Sequence, residues 1–97
     1  MINLAPNLAV PDAEITWKFV RSSGPGGQNV NKVASKAVLV WDIARTSAIP
    51  DAVKMRLALH HKRFFNAEGQ FFISSQKYRD QERNRQDCLD KLRALLL

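Results

Sequence analysis

Gly24, Pro25, Gly26 and Gly27 follow one another without interruption, and the next residue is Gln28. Three glycines and a proline in four positions form a loop with neither helix nor strand character, and that loop presents a single neutral amide. A glutamine amide does not titrate, so it is no strong base, but it can orient water. Its carbonyl accepts a hydrogen bond from an attacking water and its NH₂ donates, while its backbone N–H steadies an oxyanion if it points outward. Gly26 and Gly27 open that backbone geometry and permit a close approach where a Cβ would collide. Removing one oxyanion donor typically lowers a rate by about 10² to 10³, so a site built on backbone can carry substantial catalysis. Lys18, Arg21, Lys32 and Lys36 surround the amide, with no carboxylate between Lys18 and Lys36. Such a loop can enter a polyanion. On residue types alone, a glycine-rich hairpin tip without chemistry stays equally open.

Other chemistries find no footing. A phosphate loop needs a second glycine five residues after the first, and Asn29 stands there; no G-x-G-x-x-G fits Gly24, Gly26 and Asn29 either. A nucleophile at Ser22, Ser23 or Ser35 needs a histidine and an acid. The only histidines, His60 and His61, sit within a helical stretch, and the following strand carries just Asp42. Paired carboxylates for glycosidic acid and base roles are missing from the flexible segments. His60-His61 has no third ligand nearby and reads as a partly packed helix face. No metal and no cofactor are expected.

The chain has 97 residues, a net charge of +6 and 45% apolar residues. That apolar share sustains a packed core, and the length fits one domain over residues 1–97. The positive balance favours a phosphate-rich partner. The one cysteine, Cys88, excludes an internal disulfide and suits a reducing compartment as a small helix filler. Met1 to Pro11 has no basic, apolar or amphipathic targeting pattern, and no apolar run reaches the roughly 18 residues of a membrane span.

The elements that must hold the loop follow from periodicity. Ile15, Trp17 and Phe19 alternate with Glu14, Thr16 and Lys18, the pattern of a half-buried strand, and Ala37 to Ile43 reads as an antiparallel second strand. About 17 residues separate the two, far beyond the usual two to five of a hairpin turn, and connections that long in small domains are functional or disordered. Within it, Asn29 to Ser35 suits a helical turn that packs Val30 and Val33. Pro50 and Asp51 open a helix expected to reach Asn66, with Val53, Leu57, Phe64 and partly Met55 and His60 as its apolar stripe. A short strand, Gln70 to Ser74, follows Gly69. A last amphipathic helix runs from Tyr78 to the end, with Arg79, Asp80, Glu82, Arg83, Arg85 and Asp87 as a mostly solvated charged face. The expected fold is α+β, a small, mainly antiparallel three-stranded sheet with two main helices in the order β-β-α-β-α. The expected core is Trp17, Phe19, Leu39, Trp41, Leu57, Phe64, Phe72 and Leu89.

The run Gly24 to Lys32, continued by Arg21-Ser22-Ser23 and Ser35-Lys36, resembles the Gly-Gly-Gln (GGQ) signature of class I peptide-chain release factors. Arg79, Gln81 and Asn84-Arg85 resemble that family's Arg-x-Gln-x-x-Asn-Arg pattern, with Asp80 where the family usually has serine. The chain has no room for codon-reading domains, so it is most similar to the stand-alone, codon-independent members, the alternative ribosome-rescue factor B group and its mitochondrial large-subunit relatives. The resemblance implies a peptidyl-tRNA hydrolase that enters the peptidyl-transferase centre and hydrolyses the ester of P-site peptidyl-tRNA. It implies catalytic roles for Gly26, Gly27 and Gln28, with Gln28 positioning the water and steadying the oxyanion. It implies contacts to rRNA or tRNA through Arg21, Ser23, Asn29, Asn31, Lys32 and Lys36. The implied partners are large-subunit rRNA and peptidyl-tRNA, with no membrane and a monomeric chain, in a bacterial cytoplasm or an organelle. A non-catalytic rRNA-binding or ribosomal protein is the main alternative. A hydrolase acting on free peptidyl-tRNA is a third. Rescue members carry a lysine- and arginine-rich tail, and the uncapped leucines 95–97 lead to the expectation that this sequence stops short of one.

Overall fold

The computed structural model describes residues 1–21 and 35–97, in the order β1 (Ile2–Ala5), β2 (Leu8–Val10), β3 (Ile15–Val20), β4 (Lys36–Trp41), α1 (Asp51–His60), β5 (Phe71–Ser75) and α2 (Gln81–Leu96). Strand β4 lies in the middle of an antiparallel sheet, β3-β4-β5, as its β-branched and aromatic residues favour. The register is continuous. Trp17 faces Leu39 and Leu39 faces Ile73, so successive side chains alternate between the two faces of the sheet. Ala37, Leu39 and Trp41 point to one face together with Phe71 and Ile73, and all five are buried. Helix α2 covers that face with Cys88, Leu89, Leu92 and Leu96, whose spacing places them on one helical stripe.

The α+β class, the three-stranded antiparallel sheet and the two helices match the sequence expectation, and a two-stranded hairpin, β1-β2, precedes them. Its Ile2, Leu4 and Val10 join the core. The Arg93 side chain on α2 holds it, donating from Nε to the Leu4 carbonyl at 2.7 Å and from Nη2 to the Asn3 carbonyl at 3.3 Å.

Several boundaries differ from the sequence reading. Helix α1 ends at His60 rather than Asn66, and a 3₁₀ turn over Lys62–Phe64 follows. That turn swings Phe64 and Phe65 onto Phe71, with ring centroids at 5.8 and 5.4 Å, and this aromatic cluster outweighs continuation of the helix. Pro50 occupies the cap position of α1 rather than its first helical turn. Only Leu57 of α1 is buried, while Met55 and His60 face outward. Strand β4 stops at Trp41, and Ile43 is buried instead from a 3₁₀ turn over Ile43–Arg45. Strand β5 begins at Phe71 and α2 at Gln81.

The expected core is right for Leu39, Trp41, Leu57 and Leu89, and Trp17 and Phe64 pack half-buried against it. Phe19 and Phe72 are corrections. Phe72 pairs with Val40 on the sheet face opposite α2. Phe19 shares the α2 side of β3, but β3 is an edge strand and the ring remains 36% exposed.

Candidate catalytic loop root and nucleic-acid interface

The glycine loop departs from and returns to one point of the sheet. Val20, the last residue of β3, pairs directly with Lys36, the first of β4, so the chain before and after residues 21–35 meets at one point of the sheet. Ser23, Gly26, Gly27, Gln28, Asn29, Asn31 and Lys32 lie outside the described residues, as does the helical turn expected from Asn29 as far as residue 34. Arg21 and Lys36 are described. Arg21 is exposed directly after β3, and Lys36 is half-buried at the opposite foot.

The foot at Ser35 is bound by a residue far away in sequence. Ser35 is buried, and its carbonyl accepts a hydrogen bond of 2.7 Å from Nδ2 of Asn84 on α2. Asn84 is 0% exposed. The same Nδ2 donates to the Tyr78 carbonyl at 2.8 Å, and Oδ1 accepts from the Tyr78 N–H at 2.8 Å, with the Ser75 hydroxyl oxygen 3.4 Å away. Both N–H donors of the amide are used, and its carbonyl oxygen is paired as well. Leaving a buried group of this kind unpaired costs about 1 to 3 kcal/mol, so the arrangement is held in place. It also explains why α2 begins at Gln81 and not at Tyr78, whose backbone is committed to Asn84.

Asp80 begins the helix. Its carboxylate accepts from the Glu82 and Arg83 backbone N–H groups, the role serine plays equally well at this position, so the departure from the family's serine preserves the cap. Two turns on, the Ser75 hydroxyl donates to Asp87 at 2.7 Å. That hydrogen bond, aided by Lys91 and opposed by burial, holds the Asp87 carboxyl below its ordinary value.

Around this root stand several cations. Among the described residues no carboxylate forms an ion pair with Lys18, Arg21, Lys36, Lys77, Arg79 or Arg83. The sequence reading assigned Arg21 and Lys36 to RNA but took Arg79 and Arg83 for solvated charge. The segment 76–80 follows β5 past the end of the sheet where the loop is rooted, and Lys77 shares a cleft with Lys36 there. The cleft is polar, about 390 Å³ in volume, and lined by Lys36, Ser75, Lys77, Asp87 and Lys91 among others. Aromatic rings interleave the charges. Lys77 and Arg83 flank the Tyr78 ring at 5.4 and 5.3 Å, and Arg85 lies 5.0 Å from the centre of Trp17, which stacks on Phe19. Cations mixed with partly exposed rings suit phosphates and unstacked bases.

Among the described residues no three His, Cys, Asp or Glu side chains group as metal ligands, and no helix is long and apolar enough to cross a membrane. Among the described residues, cations and partly exposed rings stand near the end of the sheet where Val20 pairs with Lys36.

Residues 4–97 match the RF-1 domain family. The chain is 39% identical over 97 residues to the protein named peptidyl-tRNA hydrolase ArfB of Pseudomonas putida, covering all of this chain and 70% of that one. It is 40% identical over 87 residues to large ribosomal subunit protein mL62 of Mus musculus, covering 90% of this chain and 42% of the mouse protein. It is 35% identical over 88 residues to the meiotically up-regulated gene 82 protein of Schizosaccharomyces pombe, covering 86% of this chain and 47% of that relative. Since the match runs through both the glycine loop and the Arg79 to Arg85 helix start, the chain belongs to the RF-1 domain family, the GGQ domain of class I release factors.

Proposed function

We propose that this chain is a ribosome-dependent, codon-independent peptidyl-tRNA hydrolase that frees nascent peptides from stalled ribosomes. The supporting observation is the presence of Gly26-Gly27-Gln28 within a chain that aligns over its full length with a protein named peptidyl-tRNA hydrolase. In this reading residues 1–97 are one catalytic domain, acting as a monomer in a bacterial cytoplasm. Gln28 orients the water with its side chain and steadies the oxyanion through its backbone N–H, and Gly26 and Gly27 permit the approach. Arg21, Ser23, Asn29, Asn31, Lys32 and Lys36 contact rRNA or the P-site tRNA, and Lys77, Arg79 and Arg83 join them. The substrate ester is brought by the ribosome, so the enzyme's own part is entry, positioning and exclusion of bulk water.

The reading is tested with ribosomes that carry peptidyl-tRNA and no codon in the A site. The expected result is peptide release by the wild-type chain and its loss in Gly27→Ala and Gln28→Ala, with ribosome binding retained; unchanged release by both variants sinks the mechanism. A second reading, a ribosomal protein without chemistry in an organelle, draws on the identity to mL62. It expects binding without release in the same assay. Release from peptidyl-tRNA stripped of ribosomes would instead identify a free hydrolase.

A further inference from the structure

We infer that Asn84 is a positioning residue for peptide release, fixing the foot of the catalytic segment against the cationic turn that follows β5. The inference rests on the functional reading above. The β3-β4 ladder ends at Val20 and Lys36, and the β4-β5 ladder ends at Ala37 and Ser75. The Ser35 carbonyl therefore lies beyond both ladders, where no strand supplies its donor. The Asn84 side chain supplies it from α2, across 49 positions of sequence. The same amide grips both the N–H and the carbonyl of Tyr78, the residue between Lys77 and Arg79.

One buried side chain thus ties two backbone segments with different tasks. Ser35 is where the Gln28-bearing segment rejoins the sheet. The turn around Tyr78 carries Lys77 and Arg79, neither of them in an ion pair among the described residues. Their relative placement decides where Gln28 sits once the cations are bound, and displacements of about 1 Å from a productive geometry are enough to lower rates by about a hundredfold. Packing alone does not call for an amide here. Cys88 and Leu92, on the same stripe of α2, fill their sites with apolar or weakly polar groups.

Asn84→Asp keeps the Oδ1 acceptor for the Tyr78 N–H but replaces both N–H donors with a carboxylate oxygen facing the Ser35 and Tyr78 carbonyls. Ser75→Ala removes the hydroxyl that donates to Asp87 while leaving the Ser35 bond, and so serves as a matched control for lost stability. Release is followed in single turnover on stalled ribosomes as a function of protein concentration, with melting temperatures measured alongside. The expected result is a tenfold or greater fall in the saturating rate for Asn84→Asp, with the half-saturating concentration moved less than threefold, and Ser75→Ala within threefold of wild type in both. A saturating rate within threefold of wild type for Asn84→Asp overturns the inference, as does a loss in both variants that scales with melting temperature. If the wild-type chain releases nothing, the functional reading itself fails. Backbone amide shifts for residues 22–34 then decide the positional claim: movement in Asn84→Asp but not in Ser75→Ala upholds it, and no movement refutes it.

Discussion

The Arg56 guanidinium on α1 donates to the Leu96 carbonyl at 2.8 Å and to the Leu95 carbonyl at 3.3 Å, at the end of α2. The last carbonyls of a helix have no partner within it and carry the negative end of its dipole, so a cation there meets two needs at once. The contact matters because α1 buries only Leu57 and has little else to dock it. Arg56→Ala is expected to lower stability by about 1 to 2 kcal/mol in urea unfolding, the range for hydrogen bonds to charged groups. Arg56→Lys recovers part of this, since an ammonium supplies the charge but not the planar fork. A loss within error of zero for Arg56→Ala refutes the docking role.

Asp80 makes a sharper comparison. Its side chain accepts from two backbone N–H groups at the start of α2. Replacing a cap of this type by alanine typically costs about 1 kcal/mol, whereas serine serves nearly as well. Asp80→Ala is therefore expected to destabilise by about 1 kcal/mol and Asp80→Ser by a few tenths, measured by thermal or denaturant unfolding. Equal losses for the two would show that the carboxylate does something other than cap.

These contacts mark the line between what the sequence discloses and what it does not. Strand β3 was legible because period-2 alternation is local, β4 because Val38, Leu39, Val40 and Trp41 crowd strand formers together, β5 because Gly69 precedes it, and α2 because Leu89, Leu92, Leu95 and Leu96 recur at helical spacing. The hairpin β1-β2 escaped notice. Its strands are only 4 and 3 residues long, and its anchor is the Arg93 side chain from the far end of the chain. The overlong α1 arose because Phe64 and Phe65 extend an apolar pattern, while the ring of Phe71 that recruits them comes later in sequence. At the site, Arg21 and Lys36 stood out beside the glycines. Arg79 and Arg83 did not, because neighbouring Asp80 and Glu82 promise pairing that the fold denies them: Asp80 is turned to the helix cap and Glu82 to Arg85. Asn84 was visible as part of a motif, but a polar residue within a helix does not announce which distant carbonyl it holds.

Cys88 yields a prediction on pH and reactivity. Its sulfur is fully buried, 3.6 Å from the Ala37 carbonyl and 3.7 Å from that of Ile73. Burial pushes the thiol from 9.0 up to about 11. The unfolded chain, with its ordinary thiol, loses the proton first, so this group's contribution is intact below pH 9 and disappears as pH rises toward 11. Stability is expected to fall across that window by up to about 1.4 kcal/mol per pH unit. The measurement is the difference between wild type and Cys88→Ala, whose curve lacks this component. At neutral pH, iodoacetamide should label Cys88 only at the rate of global unfolding. Labelling at the rate of a free thiol contradicts the buried placement.

The cations around the loop root predict a pattern rather than a single loss. Each Lys or Arg that meets a phosphate adds close to one to the steepness with which affinity falls against salt, because it releases a condensed counterion. Arg21→Ala, Lys36→Ala, Lys77→Ala and Arg79→Ala are each expected to weaken binding to large ribosomal subunits and to lower the slope of log affinity against log salt by about 1. Lys62 serves as the control. It belongs to the 3₁₀ turn that packs through Phe64 on Phe71, at the end of β5 away from the loop root, and Lys62→Ala should leave both affinity and slope unchanged. Comparable losses at Lys62 would mean that net charge alone drives association. A reduction confined to the other four would place the phosphate track at the end of the sheet where Val20 and Lys36 pair, on the side from which the glutamine-bearing segment projects.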